Sequence, residues 1–380
     1  MFSKAGKYEL QTPDQYSQSN YYIFTPTLLC SKSLINIDDE MALLLAKAHR
    51  LLGILEGMSG FIPTIDVIES MLIKKEALLS CQIDGIDVPF DNIFDLSKVQ
   101  NKKVSSVLNY IKATYYVEES LEAKHISNRF LCEIHKVLMK NASNEDVGQF
   151  RKIQTFIGPH IYVENFPNYN PPATENMKIA LSDLEKFINS DDNIDVLIKL
   201  ALIHYQFETI HPFSSGNGRT GRILICMFLK EKKILSRKLL CLSDFLLPNK
   251  IEYFDRLMEV RRKGNYEQWV KFFIKAVIVA AEDSINVINK LLELREKNLS
   301  KIMTLGKTSK TSMLLYEYIE RKPIIDIKET ADVLKLSFNT ISKAVEGFQK
   351  IEILKQSNNL IRNRCFAYSK YLQIIEHKIQ

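Results

Sequence analysis

The chain lacks the features that would take it out of the ordinary globular class. No apolar run in its 380 residues reaches membrane-spanning length, since a span needs about 20 consecutive apolar residues. Its six cysteines, Cys30, Cys81, Cys132, Cys226, Cys241 and Cys365, show no paired spacing. That argues against a zinc site or a disulfide framework and for buried thiols in a reducing compartment. The segment from Met1 to Tyr22 is polar, without a basic-then-apolar layout, so no signal peptide is expected and the expected location is the cytoplasm. Repeats and low-complexity tracts are missing as well. What remains, 46% hydrophobic and 25% charged residues, is the composition of a soluble globular protein with a large core and no membrane contact. At this length two or three units are expected.

The formal charge of +6 is unevenly placed. From Gly306 to Gln380 there are 13 Lys and Arg against 8 Asp and Glu, so the last fifth of the chain holds nearly all the excess. Such asymmetry points to an acidic partner, nucleic acid included, although the excess is modest for a DNA-binding unit.

Helical periodicity dominates from Ile37 to about Leu299, with one exception. Residues Ile153 to Pro172 are rich in aromatics, Asn and Pro and suit a short hairpin or extended flap. Thr304 to Lys310 reads as a linker. Beyond it the pattern predicts helices over Ser312–Glu320, Ile327–Leu334 and Asn339–Gln349. Strands are expected at Ile351–Leu354 and Cys365–Tyr368, around a polar tip from Asn358 to Arg364. This order resembles a winged helix-turn-helix, whose third helix would present Asn339, Thr340, Ser342 and Lys343. Both DNA contact and protein contact remain open for that unit.

Twelve residues from His211 to Arg222, HPFSSGNGRTGR, carry the chemistry. A histidine precedes a glycine-rich loop with two arginines, and the loop opens into an apolar helical run. Amides at a helix N-terminus favour an anion, and arginine forks suit phosphate oxygens. His211 is a proton acceptor able to work near neutral pH. The loop also satisfies G-x-G-x-x-G, but that fingerprint needs a preceding strand. The run Val196–Phe207 is too long and too continuously apolar for one, so a dinucleotide fold is not expected.

The pattern His-Pro-Phe-x-x-Gly-Asn-Gly-Arg-x-x-Arg resembles the signature of Fic-domain proteins. Gly148-Gln149-Phe150-Arg151, Ile157-Gly158 and Tyr169-x-Pro171-Pro172 are similar to that family's target-positioning flap and its flank. Most characterised members transfer AMP from ATP to a hydroxyl side chain of a target protein. The resemblance implies a mainly α fold, a Fic helical core with a short β-hairpin flap plus the small C-terminal winged unit. The expected divisions are 1–103, 104–303 and 304–380. It implies ATP as substrate with Mg²⁺, protein hydroxyls as acceptors, and self-modification; the target protein is unknown and a homodimer stays open. His211 would be the general base. Gly216, Asn217 and Gly218 would form the anion nest, with Asn217 adding a side-chain donor. Arg219, Thr220, Gly221 and Arg222 would complete the nucleotide site, and the segment Leu246–Tyr253 would wall the adenine pocket, with Tyr253 as its candidate side chain. Phe156 and Ile157 on the flap would position the target.

Ser215 departs from the family, where Asp or Glu helps bind Mg²⁺. A neutral hydroxyl is a poor magnesium ligand. Three readings stand: weaker AMP transfer, transfer of another phosphate-containing group, or a silent site in a winged-helix regulator that binds DNA or protein.

Upstream, Ser80 and Asp84 lie four apart on one helical face, and Gly85 is a natural helix end. An acid in a helix's last turn is disfavoured by about 0.3–1 kcal/mol, which points to a cationic partner elsewhere. The segment, within a helix expected at about 65–85, resembles the inhibitory helix of one class of Fic proteins. By that resemblance Asp84 pairs with Arg222 and restrains activity. Asp is one methylene shorter than the usual Glu, so a strained or water-bridged contact is expected.

Overall fold

The computed structural model describes residues 2–12, 20–31, 35–95, 99–142, 146–157, 169–305, 309–357 and 364–376. The chain opens with β1 (Phe2–Ser3), β2 (Gly6–Gln11) and β3 (Tyr21–Pro26), an antiparallel sheet in that order. The sequence reading did not anticipate it. Tyr8 and Phe24, opposite one another in the register, meet across its buried side. The sheet flanks the site: the Phe24 amide donates to the Asn170 carbonyl at 3.3 Å, and Tyr21 meets the Phe156 ring edge-on.

Helices α1 (Asp39–Phe61), α2 (Ile65–Ile83), α3 (Lys102–Ser120), α4 (Asn128–Leu138) and α5 (Thr174–Asn189) follow. Next come α6 (Val196–Ile210), α7 (Asn217–Glu231), α8 (Ser243–Leu246), α9 (Lys250–Lys263) and α10 (Tyr266–Met303). The axis of the core is α6. Its sequence VLIKLALIHYQFETI has no wet face, and every residue from Leu197 to Ile210 is buried; a helix apolar all round belongs inside. Asp195 starts it by accepting from the Leu197 and Ile198 amides, which supplies orphan donors with an acceptor. Trp269 on α10 donates its indole N–H to the Ala201 carbonyl at 2.8 Å. Helix α2 is buried on nearly all sides, against α3, α7 and α8. No helix among the described residues is long and apolar enough to cross a membrane.

The last elements are α11 (Ser309–Arg321), β4 (Ile324–Asp326), α12 (Ile327–Leu334), α13 (Phe338–Lys350), β5 (Lys355–Gln356), β6 (Cys365–Ala367) and α14 (Ser369–Glu376). Their antiparallel sheet runs β4-β6-β5. Strand β4 was not expected, and Ile351–Leu354 is a turn rather than a strand. The reason is local: the Ile353 and Leu354 amides return to the Phe348 carbonyl and close α13. Residues 358–363 of the expected tip and 306–308 of the expected linker lie outside the described residues. Asn298 of α10, Tyr316 and Tyr368 form a buried hydrogen-bonded trio that ties this unit to α10. Helices α11 and α14 also touch α2.

Candidate active site

The loop between α6 and α7 is built from both ends. His211 ends α6 in the left-handed region at φ 48°, a conformation that strains a residue with a Cβ by about 1–3 kcal/mol. Gly216, at φ 75°, starts α7. Between them Phe213 is fully buried. The Asn217 amide bridges back to both the N–H and the carbonyl of Phe213, at 2.8 and 2.7 Å. Asn217 therefore closes the loop and does not offer the side-chain donor that was expected of it. The opening turn of α7 leaves the amides of Asn217, Gly218 and Arg219 without intrahelical acceptors.

Two residues hold this loop: His135, which the sequence did not single out, and Arg151, which it placed only at the flank of the flap. His135 stacks flat on Phe213 at 3.8 Å. Its Nδ1 accepts from the Gly148 amide, so Nε2 carries the proton and donates to the Ser215 carbonyl at 2.9 Å. Burial pushes this ring down to about 4, so it stays neutral. Arg151 is buried, and its Nε donates to the His211 carbonyl at 3.0 Å. Further donors reach Ile153 and Pro172 carbonyls, and the Arg151 amide binds Pro212. No carboxylate pairs with Arg151 among the described residues; burial lowers it to about 10, still charged.

Burial also lowers His211, to about 3; the Arg151 and Arg261 guanidinium groups push the same way, and the Glu208 backbone and Asp84 only partly offset them. The imidazole is thus neutral at physiological pH, keeps part of its surface at the mouth, and leaves Nδ1 unpartnered among the described residues. Arg261, fully buried, donates to the carbonyls of Asn170 and Thr209 and lies over the Tyr169 ring.

On the other side of the loop, Asp84 joins both arginines of the motif. Its Oδ1 accepts from Arg222 Nη2 at 2.8 Å and its Oδ2 from Arg219 Nε at 3.0 Å. Arg222 also donates to the Ser80 hydroxyl at 2.6 Å and the Ser80 carbonyl at 2.8 Å. Asp84 stands just past α2, whose end is closed by Gly85 N–H to Gln82 and Ile86 N–H to Cys81. The contact with Arg222 is direct, so the bridging water of the two expected alternatives is not needed, and Arg219 is an unforeseen second partner. Gly218 makes the direct approach possible: a Cβ there would lie 3.1 Å from Asp84 Oδ1. Burial alone would raise the Asp84 carboxyl, but Arg222 and then Arg219 outweigh it and hold it below the usual range.

Three expected nucleotide residues face elsewhere. Thr220 is fully buried and its hydroxyl returns to the Gly216 carbonyl. Gly221 faces α6, where a Cβ would lie 2.3 Å from Glu208 Oε1. Tyr253 is buried, with its hydroxyl 2.9 Å from His204 Nε2, so it belongs to the core rather than to an open pocket wall. An open cleft of ≈570 Å³ does border Pro248, Asn249, Ile251 and Glu252, but it shares no residue with the loop. Phe156 and Ile157 are half-buried, and the flap residues 158–168 lie outside the described residues. Glu208, not foreseen, is a buried carboxyl pushed up to about 7 by burial, against the pull of Arg222.

A second cavity of ≈570 Å³ adjoins the loop at Ser215 and Arg219. Its described lining holds Lys102, Lys140 and Arg219 and no carboxylate. Among the described residues no group of three or more His, Cys, Asp or Glu side chains could hold a metal. Magnesium commonly takes one or two carboxylates besides phosphates and water; among the described residues the lining of this cavity supplies none, and Asp146, whose carboxylate accepts from the Ser214 hydroxyl at 3.4 Å, is not part of that lining.

Comparison with known proteins places the loop within a known family. Residues 125–229 match the Fic/DOC family and residues 42–119 match its N-terminal region. A Fic family protein from Desulfovibrio desulfuricans G20 shares the fold, with a TM-score of 0.56 at 16% identity over 88% of this chain and 98% of that one. This chain is a Fic-domain protein. A Fic-1 structure from C. elegans covers 65% of the Fic-domain chain and 72% of its own, with a TM-score of 0.51 at 16% identity. Among curated relatives, protein adenylyltransferase Fic of Culex quinquefasciatus is 27% identical over 44% of the chain and 31% of its own length. That of Drosophila erecta is 30% identical over 32% and 23%. The Fic-domain chain thus spans less than a third of these curated relatives.

Proposed function

We propose that this protein transfers AMP from ATP to Ser, Thr or Tyr hydroxyls of proteins, itself included, and that Asp84 restrains the reaction. The observation that carries this is a carboxylate bound to both arginines of the loop beside a neutral histidine. A site that binds an internal anion with two guanidinium forks is built to bind a phosphate-bearing one. In the reaction the acceptor oxygen attacks the α-phosphorus, its proton passes to His211, and the bond to pyrophosphate breaks. The free amides at the start of α7 receive the charge on the α-phosphate oxygens, and being pre-oriented they need no reorganisation. Arg219 and Arg222 hold the polyphosphate once Asp84 has left them. A positioned base contributes about 10²- to 10⁴-fold in rate. The names of the curated relatives support the same chemistry.

Intact-mass spectrometry of the protein incubated with ATP tests the reading. Asp84→Gly should gain an AMP adduct faster than wild type, by roughly tenfold or more, given that charged hydrogen bonds are worth about 1.5–3 kcal/mol each. His211→Ala should gain none. An adduct in His211→Ala would remove the base from the mechanism. No adduct in any form would favour the second reading, a silent Fic site in a regulator, which Ser215 and the C-terminal unit support. In that unit α13 exposes Asn339 and Lys343.

A further inference from the structure

Among its described lining residues the cavity beside Ser215 offers a metal no carboxylate and offers the end of a nucleotide three cations. Its three cations, Lys102, Lys140 and Arg219, face no carboxylate among the described lining residues. Neither lysine has an ion-pair partner among the described residues. Both have fixed backbones. Lys102 is the first residue of α3, behind the Asn101 cap, which accepts from the Lys103 and Val104 amides. Lys140 sits in the turn after α4, where Asn109 donates to its carbonyl at 2.7 Å. Arg219 is 6% exposed and straddles the two sites: Nε binds Asp84, while among the described residues Nη2 reaches the Met139 sulfur at 3.5 Å. One edge of its guanidinium is thus ion-paired, and the other is held only by a weak acceptor on the cavity side.

We propose that this protein holds the pyrophosphate portion of its nucleotide with Lys102, Lys140 and Arg219 in place of a divalent cation. The inference rests on the AMP-transfer reading for its role in the reaction. A metal bridging β- and γ-phosphates neutralises two charges. Two lysine ammonium groups supply the same +2 as point charges, without needing the carboxylate that Ser215 replaces. The bond balance is unchanged: the acceptor oxygen bonds to the α-phosphorus, its proton goes to His211, and pyrophosphate leaves with the electron pair of the broken P–O bond. What changes is the counter-charge to that leaving group. The volume of ≈570 Å³ has room for it.

The test is isothermal titration of inorganic pyrophosphate into the full chain, in EDTA and in Mg²⁺, with Asp84→Gly to free Arg219. Asp84→Gly should bind in EDTA, and adding Lys102→Ala with Lys140→Ala should weaken binding tenfold or more. Both lysines are exposed, so their removal leaves folding intact, which the melting temperature checks. Binding should weaken with salt, as ammonium–phosphate contacts do. Binding that requires Mg²⁺, or that ignores the two lysines, overturns the proposal. In parallel, AMP adduct formation by Asp84→Gly in EDTA should stay within tenfold of its rate in Mg²⁺. An adduct formed only with Mg²⁺ also overturns it, and if Asp146→Asn then abolished that dependence, the metal would sit at Asp146, which lies 3.4 Å from the Ser214 hydroxyl. No adduct in any form with lysine-dependent pyrophosphate binding would uphold the cavity and sink the AMP-transfer reading instead.

Discussion

Two pairs of buried arginines flank the loop, and they are neutralised in opposite ways. Arg219 and Arg222 share a carboxylate from α2. Arg151 and Arg261 have no carboxylate among the described residues and donate to backbone carbonyls of His211, Pro172, Asn170 and Thr209. The first pair can trade one anion for another, because withdrawal of Asp84 leaves two desolvated cations. The second pair has nothing to trade. It fixes the loop and flap backbones in place and adds positive charge that keeps His211 unprotonated. Acid does not open the first pair in the physiological range. The Asp84 carboxyl is held low, so its contribution to stability is present above the ordinary carboxylate value and is lost only as pH falls through the depressed one.

If the second pair is a scaffold, removing part of it should do the most damage. Arg151→Ala strips the donors from His211, Ile153 and Pro172 and leaves buried carbonyls unpaired. Stability should fall by about 3 kcal/mol, and AMP transfer in the Asp84→Gly background by about 10²-fold through misplaced geometry. Arg151→Lys should rescue little, since an ammonium cannot span three carbonyls. Urea denaturation and adduct rates read both effects. Full rescue by lysine would mean that charge matters there and geometry does not.

The first pair has a third neighbour. Glu208 is raised to about 7 chiefly by burial, so the folded protein holds its proton more tightly than the unfolded chain does. The sign follows: stability from this group is complete below about pH 4.5, declines as pH rises, and is fully lost above pH 7. Glu208→Gln should therefore flatten the pH dependence and add about 2–3 kcal/mol at pH 8, measured by urea unfolding at pH 5 and 8. Lower stability of Glu208→Gln at pH 8 would mean that the ionised carboxylate is a favourable partner of Arg222.

The sequence showed the chemistry of the first pair and concealed that of the second, for a physical reason. Loop residues His211 to Arg222 are contiguous, and Ser80 and Asp84 are one helical turn apart, so their chemistry appears as spacing. Arg151 acts on His211 across 60 residues through a carbonyl that every residue possesses. His135, at the end of an amphipathic helix, looks like any core histidine until Phe213 and the Ser215 carbonyl are beside it. Glu208 did leave a signal: α6 has no wet face, so a carboxyl in it must be buried. The N-terminal sheet left little, because its short strands carry only a few buried side chains.

The smallest effect should come from Ser80, which contacts the same arginine as Asp84 but by two different atoms. Its hydroxyl accepts from Arg222 Nε, and its backbone carbonyl accepts from Nη2. Ser80→Ala removes only the first, and α2 keeps its alignment because the Lys75 ion pairs with Asp244 and Asp283 remain. A single hydrogen bond to a charged donor is worth about 1.5 kcal/mol at the low end, and the retained carbonyl contact reduces the change to about 1 kcal/mol. Self-modification should then rise about fivefold, short of Asp84→Gly, in a time course of intact masses. A rise equal to that of Asp84→Gly would make the serine hydroxyl, and not the carboxylate, the group that holds Arg222 away from phosphate. No rise would leave the carbonyl and the carboxylate as the whole restraint.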